Sequence, residues 1–342
     1  MKQVKIQVTY PGYYKKFICL GGKCPATCCA GWNISIDADT RKIYKKVRGD
    51  FGRRLKEGID FRQSRFKSET GWCPLLDPQG LCDIYKHLGK EKMCRTCRNY
   101  PRHMEDYGNI HEIMLSLSCP EAARLILTDP HAFTLTRGCK VYHLSPRQAK
   151  MTEPLPGMDR VLYVRDKLFK MLCDSKYPFP ARLKRMMKAF SSNGHWVETL
   201  FEPLIFGEKK AREPLTMLFS LESVCDGWED FLRQALRILN SENNTARARA
   251  DFLEECRARE YLLVNLAAHY LYMYFAGAVY DGDMGTKVRL MAFHVWIVLN
   301  LSYAERLRGS SLENAFITAA WRYSRQVDHW DINLKALEMI LK

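Results

Sequence analysis

The chain has 342 residues, 53 lysines and arginines against 38 acidic residues, and a formal net charge of +15. That length admits two domains, each with its own core, and no low-complexity stretch or fixed-period repeat points to a linker-rich or solenoid protein. The start, MKQVKIQVTYPGYYKKF, carries lysines but no apolar run and so does not read as a secretory signal. The thirteen cysteines are therefore expected to be cytosolic thiols rather than a disulfide framework, which places the protein in the cytoplasm.

Charge is unevenly placed. Residues 1–150 hold 27 Lys+Arg against 14 Asp+Glu, while the remainder holds 26 against 24. The excess coincides with the cysteines, nine of which lie between Cys19 and Cys119. A basic surface attracts anions such as an acidic protein, nucleic acid or a carboxylate; it equally serves as a solvated face. No nucleic-acid motif accompanies it, which argues against that partner.

In chain order, residues 3–9 alternate as a short strand. Gly21, Gly22 and Pro25 keep 19–27 in a loop. The segment GWNISIDA alternates again, and Asp37 or Asp39 caps a helix over 40–48. Residues 49–72 read as charged and irregular. Cys73 and Cys82 stand at the base of a tight loop turning at Asp77-Pro-Gln-Gly80, and 83–97 reads as one short helix delivering Cys94 and Cys97. Residues 110–118 form a strand ending at Cys119, after which Pro120 opens a helix.

Prolines and glycines across 131–158 suggest a linker between a domain over 1–130 and one over 159–342. Helical periodicity then recurs at 159–173, 228–239, 246–279, 286–307, 311–325 and 332–341. Residues 261–280 are uncharged over the minimum spanning length, yet Asn265, His269 and five tyrosines mark a buried core helix, so no membrane is expected. The fold class is mainly α: a small cysteine-rich α+β N-terminal domain followed by an all-α helical C-terminal domain.

Thiolates suit zinc or iron–sulfur clusters. Only Cys94-Arg-Thr-Cys97 has the usual zinc spacing, and the cysteines exceed the four that one structural zinc uses. A [4Fe–4S] cluster tolerates irregular spacing, with zinc as the alternative metal. The candidate ligands are Cys19, Cys24, Cys28, Cys29, Cys73, Cys82, Cys97 and Cys119; Cys94 is left even between ligand and core. A redox dithiol at Cys94 and Cys97 lacks its βαβ context. The single cysteines Cys139, Cys173, Cys225 and Cys256 read as small core residues, and His269 and His294 as satisfied core histidines. Arg102, close after Cys97, is placed to clamp a carboxylate, or to cap the loop. No G-x-G-x-x-G, Walker loop, H-E-x-x-H or G-x-S-x-G is present.

The pattern C…CxxxCC-x-GW at 19–32, CPLL…GLC-x-I at 73–84, C-R-x-Y-P-R at 97–102 and SLSCPEAAR at 116–124 resembles the flagellin lysine N-methylase family, within a wider group of zinc- or iron-chelating cysteine-cluster proteins. The resemblance covers roughly residues 10–127. It implies a protein-lysine N-methyltransferase with flagellin as partner, S-adenosylmethionine as methyl donor and a [4Fe–4S] centre on the cysteines. No Rossmann units are visible, so S-adenosylmethionine would bind by another route. Methyl transfer needs a deprotonated amine; Tyr100, Glu112 and Tyr14 are the candidates, and Arg102 is a cofactor-binding candidate. The alternative is a non-enzymatic zinc- or iron-chelating cysteine-cluster protein, with a structural metal site and a role in binding a partner or nucleic acid.

Overall fold

The computed structural model describes residues 1–29, 34–67, 71–190, 196–199, 213–224, 227–328 and 330–342. Gly31 and Trp32 of the first motif, and Cys225, lie outside the described residues.

Strand β1 (Lys2–Pro11) turns Ile6 and Val8 inward by simple alternation. Two helices follow, α1 (Ala38–Lys46) and α2 (Gly49–Glu57). Asp37 caps α1, its Oδ1 accepting the Thr40 amide at 3.1 Å. Helix α2 occupies a stretch expected to be irregular; among its charges Leu55 is fully buried, and one apolar face is enough to hold a helix of this length against a neighbour. A two-residue ladder joins β2 (Ile59–Asp60) to β3 (Arg65–Phe66). The segment expected as one helix over 83–97 is two, α3 (Asp83–Leu88) and α4 (Arg95–Asn99). They part at Gly89, whose φ of 77° belongs to the left-handed side that glycine alone enters freely.

The chain then runs through β4 (Arg102–Tyr107), β5 (Ile110–Leu115) and α5 (Pro120–Thr128). The stretch 131–158 is more than a connection. It holds β6 (Leu135–Leu144), paired antiparallel with β1 along the whole of both strands, and α6 (Pro146–Met151), opened by a Ser145–Gln148 capping box. The sheet order is β4-β5-β1-β6, with β1 and β5 parallel. β6 is mostly exposed, so it lacks the apolar alternation that marks a half-buried strand.

From there every described element is helical: α7 (Met158–Leu172), α8 (Phe179–Lys188), short α9 (Trp196–Thr199) and α10 (Glu213–Met217), α11 (Trp228–Leu239), α12 (Ala246–Ala258), α13 (Tyr261–Tyr274), α14 (Ala278–Asp281), α15 (Met284–Leu307), α16 (Leu312–Val327) and α17 (Asp331–Ile340). The helix expected over 246–279 breaks after Ala258, where Arg259 leaves helical geometry. The break separates an amphipathic helix, α12, from α13, which is buried nearly all round. The span Tyr261–Asp281 is long and apolar enough to cross a membrane by length and composition, but 78% of its most apolar window is buried inside the protein, as a core helix requires. Its Asn265 donates to the carbonyls of Leu127 (3.2 Å) and Asp129 (2.8 Å), satisfying the end of α5.

Two cores result. Tyr13, Phe17, Leu115, Leu117 and α5 share one continuous core with the helices. A second, small core of Ile34, Ile36, Tyr44, Leu55, Ile59, Phe66, Leu75, Ile84 and Cys94 belongs to residues 34–97 alone. The sheet therefore packs with the helical half, and the cysteine-bearing segment is a module set between β1 and β4.

Candidate metal centre

Six thiols, those of Cys28, Cys29, Cys73, Cys82, Cys94 and Cys97, line one cavity of about 30 Å³ together with Tyr44, Phe66, Ile84, Met93 and Tyr100. Each thiol arrives from a pinned piece of backbone. The Cys73 amide donates to the Cys29 carbonyl at 2.6 Å, tying the first loop to the second. Asp77 shapes the turn before Cys82, accepting the amides of Gln79 (2.9 Å) and Leu81 (2.7 Å) and pairing with Lys86. Cys82 caps α3 and Cys94 caps α4, where the free amides of a helix's first turn favour a sulfur anion. Asp37 accepts the Arg95 amide at 2.8 Å as well as capping α1, so one carboxylate aligns two helix starts beside Cys94.

The electrostatics fit a cation-bound thiolate set. A hydrogen bond from Cys28 holds the Cys29 thiol down at about 7, while that same bond and burial push Cys28 up. A hydrogen bond from Cys97 likewise lowers Cys94, and Cys97 is raised by its bond to Cys94 and by burial. Burial pushes Cys73 up to about 12 and raises Cys82. Several thiolates in an apolar-walled space repel one another unless a cation compensates them. All twelve cysteines among the described residues are free thiols. No three donors among the described residues stand close enough to hold one ion as they are placed here. The sulfurs ring a space, and their number exceeds the four of one structural zinc.

The expected ligands thus divide. Cys28, Cys29, Cys73, Cys82 and Cys97 meet at the cavity; Cys94, left even, joins them; Cys19, Cys24 and Cys119 are outside its lining. Cys19 is exposed, with its Sγ accepting the Gly21 amide at 3.4 Å; Cys24 donates to the Ala26 carbonyl at 3.0 Å. Cys119 caps α5 and is pushed up to about 11 by burial. Of the single cysteines expected in the core, Cys256 is buried, whereas Cys139 lies on the open face of β6 and Cys173 at the exposed end of α7.

Among the proton-handling candidates, Tyr100 lines the cavity; its hydroxyl and that of Ser118 share a hydrogen bond of 3.0 Å, and burial raises its pKa. Tyr14 is half-buried, raised by burial against the opposing pull of Arg102. The Arg102 guanidinium lies 5.9 Å from the Tyr14 ring centre and 5.2 Å from that of Phe17. Glu112 requires correction as a base at the cysteines. It is on β5, 2% exposed, away from the cavity lining, and both of its oxygens accept from Arg165 of α7, one at 2.6 Å. A carboxylate clamped bidentately in the core is a structural counter-ion.

Two functional candidates, one on α16 and one at its C-terminal cap, carry no sequence signal. Arg325, stacked 4.8 Å from the Trp321 ring centre, donates from Nε to the Ser118 carbonyl (2.9 Å) and from Nη2 to the Ala26 carbonyl (3.2 Å). One guanidinium thereby fastens the helical half to both cysteine loops. One turn on, Asp328 accepts the Tyr274 hydroxyl at 2.7 Å and that of Ser324, and burial pushes its carboxyl up to about 6. The neighbouring histidines also differ from expectation. His294 Nδ1 lies 2.7 Å from the Tyr323 hydroxyl, but among the described residues its Nε2 has no partner and His269 has none on either nitrogen, both rings being pushed down to about 3 by burial.

Residues 173–342 match the family model described as "FliB lysine N-methylase C-terminal domain", and residues 18–117 match one described as "Putative zinc- or iron-chelating domain". The chain is 34% identical over 141 residues to a "Lysine-N-methylase" of Salmonella typhimurium (strain LT2), covering 39% of this chain and 35% of that protein. A "Flagellar biosynthetic protein FliU" of Salmonella muenchen is 34% identical over 140 residues, 38% of this chain and 83% of that protein. The match thus spans about a third of the length of the Salmonella typhimurium relative. No solved structure matches the chain.

Proposed function

We propose, since the chain belongs to the FliB lysine N-methylase family, that it methylates lysine ε-amines of flagellin in the cytoplasm, using S-adenosylmethionine beside an iron–sulfur centre. The observation that carries this reading is the junction of two parts. A cavity ringed by six thiols is held, through Arg325, against the helical half that matches the methylase model. Cys28, Cys29, Cys73, Cys82, Cys94 and Cys97 are the residues that would hold the centre. Arg102 suits the carboxylate of the methionine moiety: it is flanked by two aromatic rings and pairs with no carboxylate among the described residues. S-adenosylmethionine, when bound, supplies an electrophilic methyl group. The chain's own residues orient the amine, exclude water and remove its proton.

The test is protein purified without oxygen, assayed for iron, acid-labile sulfide and methyl transfer to flagellin by mass spectrometry. Iron and sulfide in equal amounts, with lysine-linked methyl groups that disappear in Cys29→Ala, support the reading. Zinc without sulfide, together with unmodified flagellin, would move the chain to the non-enzymatic chelating class.

A further inference from the structure

We infer that the seam between β4, α13 and α16 is the site that receives the substrate ammonium, with the Asp328 carboxylate as its counter-ion and then as the acceptor of its proton. This rests on the lysine-methylation reading above and names the residue that reading lacks.

Asp328 is a carboxylate whose basic neighbour is an imidazole, that of His103. Its two short contacts are hydroxyls, those of Tyr274 and Ser324, and no lysine or arginine among the described residues pairs with it. The buried acids show what this fold does when a carboxylate is structural: Glu112 receives an arginine fork, Asp83 pairs with Arg54, Asp77 with Lys86 and Glu305 with Arg308. A carboxylate largely withdrawn from water and left without a lysine or arginine is costly, and an incoming alkylammonium supplies both the missing charge and three N–H donors.

The walls suit such a guest. Tyr270 and Tyr274 stack with ring centres 6.1 Å apart, His294 lies 4.4 Å from Tyr270, and Tyr323 closes the group 5.5 Å from His294. Aromatic faces attract a desolvated cation. Among the described residues the Tyr270 hydroxyl and His294 Nε2 are buried with no partner, leaving polar atoms in that wall unengaged. Tyr270, Tyr323 and His294 are fully buried, whereas Asp328, Tyr274 and His103 keep part of their surface, so the carboxyl is approached from the β4 side. Location adds the last argument. Arg325, three residues before Asp328 and on the same helix face, touches the loops that bear Cys28 and Cys119. The ammonium is thereby held about one helical turn from the cysteine region.

The step is a proton transfer. One ammonium N–H bond breaks, an O–H bond forms on Asp328, and the electron pair stays on nitrogen; the carboxyl then passes the proton to water on the His103 side. The groups around Asp328 are His103, with its partner Glu105, on β4, Tyr270 and Tyr274 on α13, and Tyr323 and Ser324 on α16; His294 on α15 stands behind Tyr323, to which it is hydrogen-bonded. With its carboxyl near 6, Asp328 is ionised at pH 7.5, while burial of the amine favours the neutral form that must react.

The full-length, metal-loaded protein tests this with n-butylammonium binding by calorimetry and with the pH profile of flagellin methylation. Asp328→Asn is expected to weaken n-butylammonium binding at least tenfold and to lower turnover at saturating flagellin about 100-fold, flattening the acidic limb. Tyr274→Phe removes a hydroxyl that stabilises the carboxylate, so its acidic limb should move to higher pH with most turnover kept; it serves also if Asp328→Asn fails to fold. Unchanged n-butylammonium binding in Asp328→Asn, or an acidic limb indifferent to both substitutions, overturns the inference. If the wild-type protein methylates no lysine, the functional reading fails, and n-butylammonium binding alone decides whether the seam is an ammonium site.

Discussion

Helix α15 and the pair α3–α4 show how differently the two regions of this molecule are held. α15 has 24 residues, and nearly every side chain from Thr286 to Glu305 is buried. α3 and α4 have six and five residues, below the length at which a helix is stable on its own. The helical half is ordered by apolar burial. The cysteine module, with a core running from Ile34 to Cys94, has the dimensions of a small domain that needs cross-links or a metal. The difference teaches that the thiols serve as part of the module's fold as well as its chemistry.

Removing the thiol-bound group is the strongest way to break this contrast. Chelation under reducing conditions should release the amides of 34–97 to hydrogen exchange while α13 and α15 stay protected, read by exchange mass spectrometry. Protection that persists across 34–97 would mean the module folds on its apolar residues alone. Glu112→Ala comes next and acts on the opposite region. It leaves the Arg165 guanidinium buried without a partner, so unfolding in urea should show a loss of about 3–5 kcal/mol. Metal content should not change, because Glu112 is absent from the cavity lining.

What the sequence discloses follows the same divide. The periodic helices, a cap at Asp37 or Asp39 and Pro120 after Cys119 are local signals, and the structure contains them, with Asp37 as the cap and the helix over 246–279 divided in two. β6 escapes notice because an exposed strand containing Gly138 has no apolar face to display. The cysteines announce a metal, yet which of them meet depends on how the loops at 28–29, 73–82 and 94–97 fold over one another. Cys94 is a case in point: its place comes from Asp37, 57 positions away. Asp328 is harder still. It gains meaning only where His103, Tyr274 and Tyr323 converge, and no spacing links those positions.

Arg325→Ala probes the joint between the regions. It deletes two charge-assisted hydrogen bonds to loop carbonyls, a loss of about 3 kcal/mol in their mutual support. Exchange should rise at residues 24–29 and 116–119, with little change in α15. Arg325→Lys should fail to restore the joint, since an ammonium lacks the planar fork that reaches both carbonyls. Uniform destabilisation of the whole chain would instead make Arg325 an ordinary core-packing residue.

The smallest effect tests Asp328 through stability. Its carboxyl is raised to about 6 in the folded protein, against an ordinary value near 3.9 in the unfolded chain. Between those values the folded state binds more protons, so stability is greatest below about pH 4 and declines as pH rises through about 6. After allowance for its partial exposure, the decline is about 2 kcal/mol. Asp37 runs the other way. Burial raises it, but the amides of Arg95 and Thr40 hold it down at about 2, so its contribution is present above the ordinary value and lost as pH falls. Total stability therefore mixes opposite slopes, and only the difference between wild type and Asp328→Asn isolates one of them. That difference should favour the asparagine variant by about 2 kcal/mol at pH 7.5 and vanish below about pH 4 in urea titrations. Saturating n-butylammonium should then recover part of the gap for the wild type alone, since a bound cation offsets the same burial that raises the carboxyl. A pH-independent difference would mean that the carboxylate is already satisfied, and that the seam has no charge to offer an amine.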